Sequence, residues 1–130
     1  MSKWIVHKFG GTSVADADRY RAAAAIVLRH APDERVAVVV SAMSGVTNGL
    51  IQSVELAAGR NDSYVAKLQE LQTRHLETIE KLSLTTPQTA ALRETVAYCF
   101  CNSSTSNFLF VGNFCLSLIA FRMPSSVGGC

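Results

Sequence analysis

The sequence predicts an α/β protein with a mainly parallel sheet. Two short apolar runs, at residues 4–9 and 35–40, have the length and composition of strands, and the second is rich in β-branched residues. A segment with helical spacing separates them, and two parallel strands need a crossover of this kind. Beyond residue 40 the apolar residues keep helical spacing to about residue 98. We therefore expect a strand, a helix and a second strand, followed by helices.

The composition indicates an ordinary soluble globular protein. The chain has 130 residues, of which 48% are hydrophobic and 17% charged, and its net charge is +2. Its basic residues are scattered along the chain, so we expect no nucleic-acid partner. The N-terminal residues contain no long apolar stretch followed by a small-residue cleavage site. We therefore expect a cytoplasmic protein.

The first strand and the first helix are predicted from apolar spacing. Residues 4–9 form an almost continuous apolar run, which is typical of a strand that is covered on both faces. Asp16 is a suitable cap for the helix that follows. The apolar positions of that helix are Tyr20, Ala23, Ala24, Val27 and Leu28. Pro32 and two acids indicate a turn before the second strand at 35–40, and we expect one face of the helix to cover the sheet.

Three more helices are predicted after the second strand. Thr47 or Asn48 is expected to cap the first of them. The residues expected on its buried face are Leu50, Ile51, Val54, Ala57 and Ala58. A last helix should begin with Thr86 as a cap and Pro87 at the first helical position, and end near residue 98.

Between those two helices, a long amphipathic helix is predicted at residues 64–82. Its apolar positions are Val65, Leu68, Leu71, Leu76, Ile79 and Leu82. Charged residues, including Arg74, occupy the positions between them. We expect these charged side chains, Arg74 among them, to face solvent.

The composition changes abruptly near residue 96. All ten acids lie before it and all four cysteines after it. Cys99 and Cys101 are too close in sequence for the usual zinc pair, so no metal site is expected. The apolar run at 108–121 is shorter than the roughly 20 residues that span a bilayer, so no membrane partner is expected. We predict a domain at 1–96 and a divergent tail at 97–130, frameshifted or poorly ordered, with local packing of a short strand or helix and interfacial membrane contact as alternatives.

The first predicted strand ends in a segment suited to a phosphate. Lys8 stands before Gly10 and Gly11, and two hydroxyl residues, Thr12 and Ser13, follow them. A lysine neutralises phosphoryl oxygens, and glycines let backbone amides approach where a Cβ would obstruct them. In the P-loop the lysine follows the glycines instead, so this is a different arrangement. The pattern predicts a phosphorylated ligand.

The second predicted strand ends in a similar segment. Residues 41–48, with the sequence SAMSGVTN, are small and rich in hydroxyl groups. In open α/β sheets, ligands bind outside the carboxyl ends of the strands. The two segments are therefore expected to form one crevice. Taken without the first segment, Ser41 and Thr47 would instead be helix caps.

Together, residues 8–14 (KFGGTSV) and 39–48 (VVSAMSGVTN) resemble the opening part of an aspartokinase, a member of the amino-acid kinase family. The variant most resembled is the kinase portion of the bifunctional aspartokinase/homoserine dehydrogenases, over residues 4 to about 95. The resemblance implies an incomplete α/β/α sandwich of the amino-acid kinase type. It also implies transfer of the γ-phosphoryl group of ATP to the β-carboxylate of L-aspartate with Mg²⁺, usually in a homo-oligomer.

The same resemblance implies residue roles. The residues implied to bind the ATP phosphates are Lys8, Gly10, Gly11, Thr12 and Ser13, with Lys8 as the catalytic cation. Those implied to contact the substrate are Ser41, Gly45 and Thr47. The nucleotide-binding half and the Mg²⁺ ligands of the family are not recognisable in this sequence, so we expect the 130-residue chain to be inactive alone.

Two other interpretations remain open at the level of the sequence. The chain would act on a different carboxylate or carbamate if it belonged to another branch of the amino-acid kinases. Alternatively, it would be a non-catalytic remnant or interaction module, which associates with a full-length kinase through its long helix.

Overall fold

The computed structural model describes residues 3–101, which form two strands, four α-helices and a short 3-10 helix. In chain order they are β1 (Trp4–Phe9), the 3-10 helix (Gly11–Val14), α1 (Ala17–His30), β2 (Arg35–Val40), α2 (Val46–Ala58), α3 (Ser63–Lys81) and α4 (Thr86–Cys101). The apolar run at 108–121 and most of the predicted tail lie outside the described residues. This order confirms the predicted succession of strand, helix and strand followed by three helices.

The two strands pair in parallel, with Trp4 opposite Arg35 and Phe9 opposite Val40. Helix α1 forms the crossover between them, as parallel pairing requires. Asp16 caps α1, since its side chain accepts a hydrogen bond from the Arg19 N–H at 2.9 Å. The predicted class, a mixed α/β chain with a parallel sheet, and the predicted cap are both confirmed.

Only one face of the sheet is covered by the described residues. On that face the His7 ring lies 5.1 Å from the ring of His30 in α1. On the opposite face Trp4 and Val6 are 60% and 64% exposed. The prediction that β1 is covered on both faces is therefore wrong for this part of the chain. An apolar run indicates which side chains favour burial, but it does not say which element supplies the cover.

The buried face of helix α2 agrees only in part with the prediction: Leu50 packs against the core cluster as expected, but other predicted residues do not. Ile51 and Val54 are about half exposed, whereas Gly49 and Ser53 are buried. A Cβ at Gly49 would lie only 2.8 Å from Leu71 Cδ2 of α3. Gly49 lets α2 approach α3 closely, and Val46 joins the buried cluster, while Ile51 and Val54 stay outside.

Helices α3 and α4 complete the core. The cluster of buried side chains consists of Met43, Val46, Leu68, Leu71, Cys99 and Phe100. The predicted burial of Leu68, Leu71 and Ile79 is confirmed, whereas Val65 is 43% exposed. Helix α4 runs beyond the predicted end at residue 98, and this extra length brings Phe100 into the core.

The amino-terminal end of α4 differs slightly from the prediction. Thr86, expected as the cap, is already the first helical residue. The side-chain oxygen of Gln88 accepts hydrogen bonds from the N–H and the hydroxyl of Thr85, which is the return half of a capping box. Within residues 3–101, none of the helices combines the length and the apolar character that crossing a bilayer requires.

Candidate functional site

The two predicted loops begin side by side. The Ser41 N–H donates to the Phe9 carbonyl at 2.9 Å, so the strands remain paired at the point where the chain leaves them. A Cβ built on Gly11 would lie 2.9 Å from the Ala42 carbonyl oxygen and 3.6 Å from Ser44 Cα. A backbone carbonyl cannot move aside as a flexible side chain can, so this contact requires glycine at position 11. The structure thus brings the two loops into direct contact.

We call residues 10–16 the first loop. Its 3-10 helix is closed by a hydrogen bond from the Ser13 N–H to the Gly10 carbonyl at 2.9 Å. The N–H groups of Gly11 and Thr12 therefore have no acceptor within that helix. Val14, only 1% exposed, anchors the loop against the protein interior. Thr12 is exposed, while the apolar Val14 is buried.

We call residues 41–45 the second loop. It is held by Met43, which is 5% exposed, and by Val46 at the start of α2, which is 1% exposed. Gly45 has φ = +82° and is the N-cap residue of α2. Because this backbone conformation is unfavourable for residues with a Cβ, the turn into the helix requires glycine.

The predicted cap of α2 at Thr47 or Asn48 is therefore wrong. Both residues lie in the first turn of the helix, after Gly45. The Gly49 N–H makes a hydrogen bond to the Gly45 carbonyl at 3.0 Å, so the N–H groups of Thr47 and Asn48 have no acceptor within α2. They add to the partial positive charge at this helix end, which favours an anion.

Lys8 lies near the carboxyl end of β1, opposite Val39 in the sheet register. Its side chain is exposed on the open face of the sheet, the face that carries Trp4 and Val6. No other residue of the described range 3–101 makes a side-chain hydrogen bond or an ion pair with Lys8. Ser41 and Thr47 are also exposed. The described part of the chain thus leaves this cation and these hydroxyl groups accessible from solvent.

Arg74 of α3 connects the two loops. Its Nη1 donates to the Ser44 carbonyl at 2.6 Å, and its Nη2 donates to the Ala15 carbonyl at 3.2 Å. The prediction that Arg74 faces solvent is therefore wrong, because the side chain is half-buried between the loops. Its spacing on the helix resembles that of any surface charge. Nothing in the sequence indicated a contact with residues 30 and 59 positions away.

His75, the next residue of α3, lies on the side of the helix that packs against α4. Its Nδ1 donates to the Leu71 carbonyl at 2.7 Å, and its ring lies 5.7 Å from the Phe100 ring. Burial lowers the pKa of His75 below its usual value of 6.5; the hydrogen bond to Leu71 acts in the opposite direction, and the nearby Arg74 charge lowers the pKa further. The surroundings of His75 therefore favour the neutral form of its ring.

Acidic and metal-ligating side chains are dispersed in this part of the protein. Among residues 3–101, His, Cys, Asp and Glu do not form a group of three or more that could hold a metal ion. The two loops offer hydroxyl groups and backbone amides, and Lys8 lies just before the first of them, near the end of β1. This set suits the oxygens of a phosphoryl group or a carboxylate.

Known proteins that are similar to this chain include aspartokinases. The chain is 48% identical to the bifunctional aspartokinase/homoserine dehydrogenase 1, chloroplastic, of Zea mays over 79 residues, which are 61% of this chain and 8% of that protein. It is 35% identical over 82 residues to aspartokinase 1, chloroplastic, of Arabidopsis thaliana (61% of this chain, 14% of that protein). It is 54% identical over 48 residues to the aspartokinase of Rickettsia felis; these residues are 36% of this chain and 12% of that protein.

The chain therefore spans only a small part of the length of these curated relatives. The match to the amino acid kinase family covers residues 3–114. It extends past residue 96, where the composition changes, and the predicted division at that residue stays a prediction. Since the family match covers most of the 130 residues, the chain belongs to the amino acid kinase family.

Proposed function

We propose that this chain supplies the phosphoryl-facing part of an aspartate kinase, which transfers the γ-phosphoryl group of ATP to the β-carboxylate of L-aspartate. The observation that carries the proposal is the contact between Gly11 and the second loop at the carboxyl ends of two parallel strands. Ligands of open α/β sheets bind at this edge. The names of the relatives supply the substrate, since they are aspartokinases.

The chemistry requires two anions to approach each other. Negative charge spreads over the transferring phosphoryl oxygens, so catalysis depends on positioning and on electrostatic stabilisation. In the proposed arrangement Lys8 neutralises a phosphoryl oxygen, and the amides of Gly11 and Thr12, which have no acceptor within the 3-10 helix, donate hydrogen bonds to the phosphates. A Cβ at Gly10 would meet nothing within 4 Å. That side of the loop therefore has room for a ligand.

The acceptor is assigned to the second loop. Ser41 is an exposed hydroxyl residue at its start, Thr47 is another in the first turn of α2 just after it, and Gly45 keeps the turn narrow. We propose that these hydroxyl groups orient the aspartate or the phosphoryl group. The partial positive charge at the start of α2 favours either anion.

ATP is the proposed phosphoryl donor, with Mg²⁺ as the accompanying ion. The lysine and amides of the loops fit the phosphate oxygens, whereas the described residues offer no cluster of carboxylates for the metal. We place the Mg²⁺ ligands outside residues 3–101. When bound, Mg²⁺ would neutralise charge on the phosphates. The 130-residue chain alone is accordingly proposed to be inactive.

The compartment and the assembly are also proposals. We propose a cytoplasmic protein that forms a homo-oligomer in its complete form. The names of the maize and Arabidopsis relatives specify the chloroplast. Cell fractionation decides between the two compartments, and sedimentation of the purified protein gives the oligomeric state.

Binding of ATP tests the assignment of the first loop. The ¹⁵N-labelled chain is titrated with ATP, with and without Mg²⁺, and the amide signals are followed by NMR. We expect the signals of residues 10–13 and 45–47 to shift. Lys8→Ala should weaken binding about tenfold or more, as loss of a charged hydrogen bond does.

Lys3→Ala is the matched control, because Lys3 is an exposed lysine just before the other end of β1. It should leave ATP affinity unchanged. Equal losses from Lys3→Ala and Lys8→Ala, or no shifts at millimolar ATP, would contradict the assignment. An ATP-dependent hydroxamate assay with L-aspartate completes the test. Turnover by the chain alone that Lys8→Ala abolishes would show that the proposed inactivity is wrong.

A further inference from the structure

A single side chain joins the two loops of the site. Arg74 reaches from α3 and donates one hydrogen bond to each loop, to Ser44 at 2.6 Å and to Ala15 at 3.2 Å. Both acceptors are backbone carbonyls. The distance between the two carbonyls is therefore set by the planar, rigid guanidinium group that lies between them.

The contacts of Arg74 indicate that it supports the two loops and does not form a surface ion pair. The ion pairs among residues 3–101 involve other arginines and lysines, so no carboxylate of the described chain neutralises Arg74. A Cβ at Gly45 would lie 3.4 Å from Arg74 Nη1, so the guanidinium also lies against the turn into α2. The Thr78 hydroxyl donates to the Arg74 carbonyl at 2.9 Å, within the same helix.

We propose that Arg74 is a positioning residue that holds the first and second loops at one separation and so sets their affinity for a phosphoryl group. The contact between Gly11 and Ala42 keeps the loops from approaching further, and Arg74 keeps them from separating. The ligand in this inference rests on the proposed function. The restraint on the loops rests on the hydrogen bonds alone.

The first measurement is made without ligand on the full chain. Gly11 and Ser44 are close enough for nuclear Overhauser effects between their α-protons. We expect these effects to be lost or strongly reduced in Arg74→Met and in Arg74→Lys, because one ammonium cannot reproduce two hydrogen bonds from a planar fork. Arg29→Met, which removes an exposed arginine in the last turn of α1, should retain them.

The second measurement is the dissociation constant of ATP for the same variants. We expect Arg74→Met and Arg74→Lys to weaken binding about tenfold, the scale on which loss of a supporting group affects a bound ligand. Arg29→Met should bind as the unaltered chain does. Midpoints of urea unfolding, measured in parallel, separate lost stability from lost positioning.

The outcomes are distinct. If the nuclear Overhauser effects between Gly11 and Ser44 persist in Arg74→Met, the proposed restraint on the loops is overturned, whether or not ATP binds. If Arg74→Lys binds ATP as tightly as the unaltered chain, only the positive charge matters. That result overturns the proposal that Arg74 acts by positioning the loops. If the unaltered chain binds no ATP, the proposed function fails and the role of Arg74 in affinity fails with it. Loss of the interloop effects in the two Arg74 variants would still establish the restraint.

Discussion

The first and second loops follow equivalent strands, yet they are held in different ways. The first loop has two short-range hydrogen bonds of its own, from the Ser13 N–H to the Gly10 carbonyl and from the Arg19 N–H to Asp16, in addition to the long-range bond from Arg74 to the Ala15 carbonyl. The second loop depends on distant parts of the chain. Met43 packs in a cluster with residues of α3 and α4, and Arg74 bonds to the Ser44 carbonyl.

This difference has a consequence for the site. The first loop has short-range hydrogen bonds to support it, whereas the support found for the second loop comes from α3 and α4. Local hydrogen bonds need little loop closure, but contacts over long sequence separations need the ordered chain between them. We therefore expect the second loop to be the more easily lost of the two.

The largest effect is expected from Gly45→Ala in the second loop. Placing a Cβ at φ = +82° costs about 1–2 kcal/mol. The new methyl group would also lie 3.4 Å from Arg74 Nη1, so the arginine must adjust. Urea unfolding should show a lower midpoint.

Gly10→Ala in the first loop is the control for that variant. Gly10 has φ = −76°, and a Cβ there would lie in open space. The stability of the Gly10→Ala protein should therefore stay unchanged or rise slightly. Similar losses from the two variants would contradict the conformations described for the two glycines.

A smaller effect is expected from Asp16→Ala in the first loop. The variant loses the hydrogen bond to the Arg19 N–H, and removal of such a cap costs about 1 kcal/mol. Asp33→Ala, in the exposed turn after α1, should leave stability nearly unchanged. Hydrogen exchange should speed up in the first turn of α1 and stay constant at Gly45. Faster exchange at Gly45 as well would show that the loss of this cap also loosens the second loop.

The smallest effect is expected from protonation of His75, which lies behind the second loop. Its pKa is lowered in the folded chain, chiefly by burial, so the unfolded chain binds the proton more tightly. The neutral ring's contribution to stability is fully present above pH 6.5, the usual value, and is lost as the pH falls through the lower, folded pKa. Unfolding midpoints of the unaltered chain should therefore fall more between pH 7.5 and 5.5 than those of His75→Gln. Equal pH dependence of both proteins would show that His75 does not titrate as described.

Sequence reasoning succeeded where short-range rules apply. The strands at 4–9 and 35–40, their parallel pairing and the cap at Asp16 follow from apolar runs, crossover length and capping chemistry. The cap of α2 was misassigned because Gly45 with φ = +82° forms it with backbone geometry and not with a side chain. Part of the buried face of α2 was misassigned: Gly49 and Ser53 are buried although neither is hydrophobic, and Gly49 lies close against Leu71 of α3.

By itself, the sequence determined the class of fold, the succession of elements and the two loops that could face a phosphoryl group. Each of these depends on neighbours within a few positions along the chain, where spacing and residue type act directly. Only the tertiary structure decided that Gly11 contacts Ala42, that one face of the sheet is covered, and that Arg74 joins both loops. Such contacts arise from the way α3 packs on α2 and beside the loops, and they depend on the joint shape of surfaces that are far apart in the chain.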